Sequence, residues 1–241
     1  MKKKFSSDLT RLNKYISQSG LCSRRSADKL ILNGKVKVNN KICQELGTKV
    51  SIGDKVIVDN KLIKPEKNIY ILLNKPKDYI TTNKDTHNRK IVFDLIKGVN
   101  ERLFSVGRLD RKTTGLLLLT NDGNIAKKLT HPSYRIKKIY SVTLEKNISE
   151  IEINQIRKGI IIDGELIKVD RINRLVKNNE LGVEIHIGKN RIVRKIFESI
   201  NHKVSKLDRV LFGPLTKKDL PRGKWRKLKE QEIRNLKIFT K

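Results

Sequence analysis

Acidic residues are scarce in this chain. Its 241 residues carry 25 Asp+Glu against 55 Lys+Arg, a formal charge of +30. Such a one-signed surface repels itself unless a polyanion is its usual companion, and the Lys and Arg occur in every segment rather than in one tail. Nucleic acid is the favoured partner; an anionic membrane is second, since no long basic amphipathic helix is visible. Long apolar runs are missing too. None approaches the roughly 18 residues of a membrane span, which excludes a transmembrane helix. The basic start, Met1-Lys2-Lys3-Lys4-Phe5, lacks the apolar stretch of a secretory signal, so the cytoplasm is the expected compartment. Two cysteines, Cys22 and Cys43, without Cys-x-x-Cys spacing, argue against a disulfide framework and a cysteine metal site. Aromatics are few, 6 Phe, 5 Tyr and 1 Trp. That disfavours an open single-strand stacking platform and leaves phosphate contacts plus a few placed groups. A phosphate-cradling loop, a dinucleotide glycine fingerprint and a His-Glu-x-x-His pattern are all absent, and neither metal nor cofactor is expected.

What is present divides into two parts. Residues 1–64 hold 15 basic and 5 acidic side chains, a balance of +10. Thr10 is positioned to cap a short helix with Leu12, Tyr15 and Ile16 on its apolar face, ending at Gly20. Ser23 caps a second helix with Ala27, Leu30 and Ile31 inward, closed by Asn33-Gly34. Alternating strands follow at 35–38, turned at Asn39-Asn40, and at 55–58. Arg11-Leu12-Asn13-Lys14-Tyr15-Ile16, Gly20-Leu21-Cys22-Ser23-Arg24-Arg25-Ser26-Ala27, Gly34-Lys35-Val36-Lys37-Val38-Asn39 and Gly53-Asp54 together resemble the S4 RNA-binding domain. The resemblance implies RNA contacts from Arg11, Lys14, Arg24, Arg25 and Lys35. A bare helix-turn-helix could dock in a DNA groove, but the strand after Gly34 belongs to the S4 pattern.

A short linker is expected over 62–68, around Pro65, and a second domain over 69–241. The apolar run Leu116-Leu117-Leu118-Leu119 suits a strand buried on both faces, whereas 183–187 alternates as a half-buried strand does. Further strands are expected at 69–73, 140–144 and 204–212. Helices are expected at 125–129, 149–158 (capped by Ser149) and 191–200. The fold class is α+β: a small N-terminal domain of two helices and short strands, then a mixed, mainly antiparallel sheet domain.

Asp110 lies in a Gly-bounded loop among Arg108, Arg111 and Lys112, just before the buried strand. It could be a turn residue bonding the Thr113 backbone. Alternatively, the cations keep it ionised and draw a phosphodiester chain to it, so that it acts as a nucleophile or stabilises an electron-poor sugar carbon. The blocks Gly107-Arg108-Leu109-Asp110, Thr114-Gly115-Leu116-Leu117-Leu118 and Thr120-Asn121-Asp122-Gly123 are similar to the pseudouridine synthases, in the branch that modifies ribosomal RNA and carries an S4 domain. So are Asn74-Lys75-Pro76, Lys138-Ile139-Tyr140, the stretch 188–197 and the stretch 207–214. Thr120–Gly123 with Leu129, His131 and Pro132 favours the large-subunit subgroup.

The resemblance implies isomerisation of a uridine: the N1–C1′ bond breaks, the base turns, and C5 joins C1′. It implies that Asp110 is the catalytic carboxylate, that Tyr140 lies over the base, and that Arg194 pairs with Asp110. Leu207 would pack in the pocket and Arg108 would hold the flipped nucleotide. The implied partner is ribosomal RNA, as a large-subunit precursor, with no membrane partner and a monomeric enzyme. The alternative is a non-catalytic S4-type assembly factor. Asp78, Ile139 and Ile187 depart from the family pattern, which has Gly at the first and Glu at the other two. His87, His131, His186 and His202 are scattered and suit structural or surface roles; Cys22 suits packing, and Trp225 an anchor for the final strand.

Overall fold

The computed structural model describes residues 9–51 and 53–239; the basic start, residues 1–8, lies outside the described residues. The chain forms two compact units. One runs to Ile69 and adds Asn100–Leu103; the other comprises Tyr70–Val99 and the residues from Phe104 onward. The return of 100–103 to the first unit is invisible to a reading that cuts the chain once.

The first unit contains β1 (Thr10–Arg11), α1 (Leu12–Gln18), α2 (Arg24–Leu32), β2 (Val36–Val38), β3 (Lys41–Ile42), β4 (Lys49–Val50), β5 (Val56–Val58) and β6 (Lys61–Ile63). Leu12, Tyr15 and Ile16 of α1 meet Ala27 and Ile31 of α2, and Val36, Val50 and Val56 close the core from below. The Ser23 hydroxyl accepts from the Ser26 amide, as a helix cap should. Thr10 does not cap α1. It pairs with Val50 in a two-residue ladder, and the Leu12 amide bonds the Thr48 carbonyl, so the strand contact replaces a side-chain cap. The expected linker over 62–68 is also shorter than supposed, because β6 pairs with β5.

The second unit contains β7 (Tyr70–Lys75), β8 (Phe104–Ser105), β9 (Thr114–Thr120), α3 (Gly123–Thr130), β10 (Lys138–Leu144), α4 (Glu150–Lys158), β11 (Ile160–Ile162), β12 (Glu165–Ile167), β13 (Arg171–Arg174), β14 (Glu180–Ile185), α5 (Ile192–Glu198), β15 (Val204–Phe212), β16 (Leu215–Thr216), β17 (Trp225–Lys227) and α6 (Glu230–Phe239). Its main sheet runs β13-β14-β10-β15-β9-β7-β17, with β16 on β15 and β8 on β9. The β9–β15 pair is parallel, and the other pairs along this path are antiparallel. The fold is α+β, as the hydropathy pattern implies.

Leu116–Leu119 are fully buried, in keeping with a strand covered on both faces. Leu116 and Leu118, with Tyr70 and Leu72, pack on Ile125 and Leu129 of α3 and Leu236 of α6. Asp122 caps α3 by accepting from the Asn124 and Ile125 amides, and Ser149 and Glu152 form a reciprocal capping box on α4. Trp225 stands in β17 opposite Leu73, within the last strand itself. Among the described residues no helix is long and apolar enough to cross a membrane.

Candidate active site

Blocks separated by almost a hundred residues meet where β9 runs parallel to β15, with Thr114 opposite Asp208 and Gly115 opposite Arg209. The approach is very close. A Cβ on Gly115, whose φ is +107°, would lie 2.2 Å from the Arg209 carbonyl oxygen and 2.5 Å from its nitrogen. Only glycine fits there. The Asp208 carboxylate ties the junction together: it accepts from Thr114 Oγ1 at 2.9 Å and from Arg222 at 2.9 and 3.1 Å, and it pairs with Lys217. Burial pushes the Asp208 carboxyl up, but hydrogen bonds from Arg222, Lys217 and Thr114 together outweigh it and hold the group below its usual value.

Asp208→Asn is therefore expected to lower stability by about 2–3 kcal/mol at pH 7, because two cations lose their counter-charge. A folded value below the unfolded one means that the native state binds fewer protons, so this stabilisation is complete above about pH 4 and fades below it. Urea unfolding of wild type and variant should show a gap that narrows as the pH falls below about 4.

Asp110 sits in the loop between β8 and β9, which is pinned by its main chain. Lys75, fully buried at the end of β7, donates from Nζ to the carbonyls of Thr113 (2.8 Å), Asp110 (3.0 Å), Pro76 (3.1 Å) and Arg111 (3.3 Å). Thr81 Oγ1 donates to the Leu109 carbonyl at 2.8 Å. Burial pulls the Lys75 ammonium down to about 8, against the attraction of Asp110 and Asp78. The Thr113 amide bonds the Asp110 carbonyl, at 3.0 Å, and not its carboxylate. The Asp110 carboxylate has no hydrogen-bond or ion-pair partner among the described residues. The turn is therefore made by main chain, and the carboxylate is left over.

Asp78 shows how a side chain can stand where the family pattern has glycine. Its φ is +66°, a left-handed conformation that Asp tolerates, and its carboxylate pairs with Arg111 at 2.9 Å.

A cavity of about 150 Å³ opens beside this loop. Asp110, Arg108, Tyr140 and Leu207 all line it, so four of the site residues named from the sequence converge. Tyr140 is 8% exposed and lies opposite Arg209 on the neighbouring strand, while Leu207 lies opposite Val142. The volume is about half the lower bound of ordinary small-molecule pockets, and suits one planar base rather than a chain of them.

Arg194 behaves differently from expectation. It is 7% exposed on α5, donates to the Val204 carbonyl at 2.9 Å, leaves Nε without a partner, and makes no ion pair with Asp110. Burial pulls its guanidinium down, Arg191 adds to that, and Asp110 opposes it, so the two residues interact through space without touching.

Sequence reasoning did not single out several polar groups that line the cavity, Lys138, Arg209, Lys189, Arg191 and Thr113 among them. Arg209 falls in a strand read from the sequence and Lys138 just before another, but which side chains share a face follows from the register, including the irregularity between Ile139 and Tyr140. Lys75 was visible only as part of Asn-Lys-Pro, a charged residue closing an apolar strand.

In the first unit Arg11, Arg24, Arg25 and Lys35 are exposed and Lys14 is half-exposed. Arg24 reaches Asn13 at 3.3 Å. The histidines have local partners: His202 meets Glu152 at 2.9 Å, His186 meets Asp170 at 2.7 Å, and His87 and His131 meet neighbouring hydroxyls. Burial pushes the Cys22 thiol up, away from the reactive thiolate form.

A family model described as RNA pseudouridylate synthase matches residues 69–199, and an S4 domain model matches residues 10–56. The chain belongs to the RNA pseudouridine synthase family. It is 39% identical over 241 residues to the ribosomal large subunit pseudouridine synthase B of Bacillus subtilis, across 96% of this chain and 97% of that protein. A protein of Aquifex aeolicus, named as an uncharacterized RNA pseudouridine synthase, is 40% identical over 232 residues, across 94% of this chain and 93% of its own length. A crystal structure of a pseudouridylate synthase superposes with a TM-score of 0.68 at 28% identity, covering 94% of this chain and 99% of the other. The protein is accordingly an isomerase of this family, an S4 domain followed by a pseudouridine synthase domain.

Proposed function

We propose that this chain converts a uridine of large-subunit ribosomal RNA to pseudouridine, with Asp110 as the catalytic carboxylate and the target base flipped into the cavity. The observation that carries this reading is the partnerless Asp110 carboxylate, on a main-chain-pinned loop, at the wall of a base-sized cavity. The ribosomal large subunit named in the Bacillus subtilis relative supports the substrate class. Tyr140 lies over the base, Leu207 forms the cavity wall, and Arg108, exposed at the rim, holds the nucleotide. Arg194 steadies the carboxylate as a nearby buried charge. Isomerisation exchanges a C–N bond for a C–C bond with no net redox change, so it needs no redox cofactor.

Taking the base out of its stack costs a few kcal/mol, which phosphate contacts by Arg11, Lys14, Arg24, Arg25 and Lys35 help to offset. RNA affinity should then fall steeply with salt, with a log–log slope of about 0.7 per phosphate contacted on single strands. A flat response in filter binding would contradict the electrostatic picture.

The function itself is tested by incubating the protein with 23S and 16S ribosomal RNA transcripts and mapping pseudouridine as carbodiimide-dependent reverse-transcription stops. A new stop in the large-subunit RNA is expected. A stop confined to the 16S transcript would overturn the subunit assignment. Tight binding with no stop in either would favour the non-catalytic assembly factor.

A further inference from the structure

The cavity holds more positive charge than the orientation of one carboxylate needs. Arg209 is 3% exposed; its Nε donates to the Leu116 carbonyl at 2.8 Å, its guanidinium lies 4.7 Å from the Phe212 ring centroid, and neither terminal nitrogen has a partner among the described residues. Lys138, on the same face of the sheet, uses one of its three protons, donating to the His186 carbonyl at 2.7 Å. Thr113 Oγ1, buried beside them, also has no partner. Unpaired buried donors cost stability, and a structure keeps them where something else supplies the acceptor. Lys138 and Arg209 are moreover donors only and can bond nothing but acceptors.

We propose that Lys138 and Arg209 form the uracil-recognition floor of the cavity, donating to the O2 and O4 carbonyls of the target base both before and after it turns. This rests on the pseudouridine synthase reading above. The chemistry of the turn explains why such a floor suits the reaction. Bringing C5 to the place of N1 is a half-rotation about the N3–C6 axis, and that rotation exchanges O2 with O4. A donor pair satisfied by the carbonyls in the first orientation is satisfied by them again in the second, with no rearrangement of the protein. The base is loose only in between. When the N1–C1′ bond breaks, its electron pair stays on the ring and spreads to O2 and O4, next to the two cations. The ring's C5 then bonds C1′, the C5 proton leaves, and N1 takes a proton, which balances the exchange. Cytosine, with an amino group at position 4, would turn a donor against a donor.

The same two cations account for the state of Lys138. Burial pulls its ammonium down to about 8, with Arg209 acting in the same direction and Asp170 against it. A carbonyl or a delocalised anion between the cations relieves that repulsion.

The test uses the full-length protein and a ribosomal RNA transcript carrying either uridine or 4-thiouridine at the mapped target, assembled by splinted ligation. Sulfur at position 4 is a poor acceptor. Single-turnover conversion, RNA affinity and thermal stability are measured for wild type, Lys138→Met, Lys138→Arg and Arg209→Lys. On uridine, Lys138→Met should be slower by roughly 10²-fold, the scale of losing one donor to developing charge. Its RNA affinity should stay within about twofold of wild type, since the contact is to the base and not to phosphate. Lys138→Arg should recover part of the rate. Because the turn carries position 4 from one cation to the other, sulfur weakens one contact in each orientation. It should slow the wild type about tenfold and Lys138→Met by a clearly smaller factor, since one of the two weakened contacts is already gone. If sulfur slows both proteins by the same factor, or Lys138→Met turns over at the wild-type rate, the floor is wrong. Arg209→Lys is the second probe, and Lys138→Met alone decides if it fails to fold. A wild type inactive on uridine RNA overturns the function, and this inference with it.

Discussion

Asp110→Asn should abolish turnover and leave almost everything else in place. The loss expected is at least about 10³-fold in single-turnover rate, the scale of removing an essential acid–base or nucleophilic group. Stability should hardly change. The carboxylate has no hydrogen bond or ion pair to lose, only a through-space attraction to Lys75 and Arg194, and the loop around it is held by Lys75 and Thr81 through main-chain carbonyls that the substitution does not touch. RNA affinity should be unchanged or slightly tighter, since one negative charge beside a polyanion has gone. This separates Asp110 from Asp208, a carboxylate whose bonds to Thr114 and Arg222 make it structural. Parallel loss of binding, stability and turnover in Asp110→Asn would mean that the residue holds the fold together.

Gly115→Ala is expected to do the reverse and destroy the fold. The added methyl would lie 2.2 Å from one main-chain atom of Arg209, 2.5 Å from another and 2.7 Å from Asp208 Oδ1, on a residue already at φ +107°. None of these neighbours is the end of a flexible side chain free to swing away. Strands β9 and β15 would have to part, and their junction carries both the Asp110 loop and the Leu207–Arg209 wall of the cavity. A cost above about 4 kcal/mol follows, large enough to leave the second unit unfolded or insoluble. Gly107→Ala is the control. Its φ is +71°, but a Cβ there meets only Thr130 Cγ2, at 3.9 Å. About 1–2 kcal/mol of backbone strain is expected, without collapse. Urea unfolding of the two variants distinguishes a steric requirement from a conformational one. Similar small losses in both would contradict the close strand approach.

Where local chemistry decides an element, the sequence is legible. Ser23 and Ser149 mark their helices because a hydroxyl three residues before a free amide is a local arrangement. Leu116–Leu119 announces a doubly covered strand because no half-exposed strand tolerates it. Legibility fails where distant strands decide. Thr10 has the makings of a cap, but Lys49–Val50 claims its strand. The hairpin of β11 and β12 turns at Asp163 and Gly164, both at positive φ, a turn signal passed over beside the apolar run of 160–162. Helix α6 is mostly polar; Leu236 anchors it fully buried, with Ile233 packed alongside, too few apolar positions to stand out. The site follows the same rule. Asp110 stands out by its glycines and cations, whereas Lys138 and Arg209 look like two more basic residues until β10 and β15 are set in register. The contact between Arg194 and Asp110 came from family resemblance alone, and the structure replaces it with a through-space influence.

Rearrangement of a uridine at the Asp110 carboxylate frees the C5 hydrogen, so release of tritium from C5 reports that step directly. Large-subunit ribosomal RNA transcripts labelled at uridine C5 would be incubated with wild type and with Asp110→Asn, each in the presence of EDTA. Release of one tritium per RNA is expected from the wild type, undiminished by the chelator, and none above background from the variant. Tight binding without release, on naked RNA and on assembling particles alike, or equal release by both proteins, would contradict catalysis at Asp110.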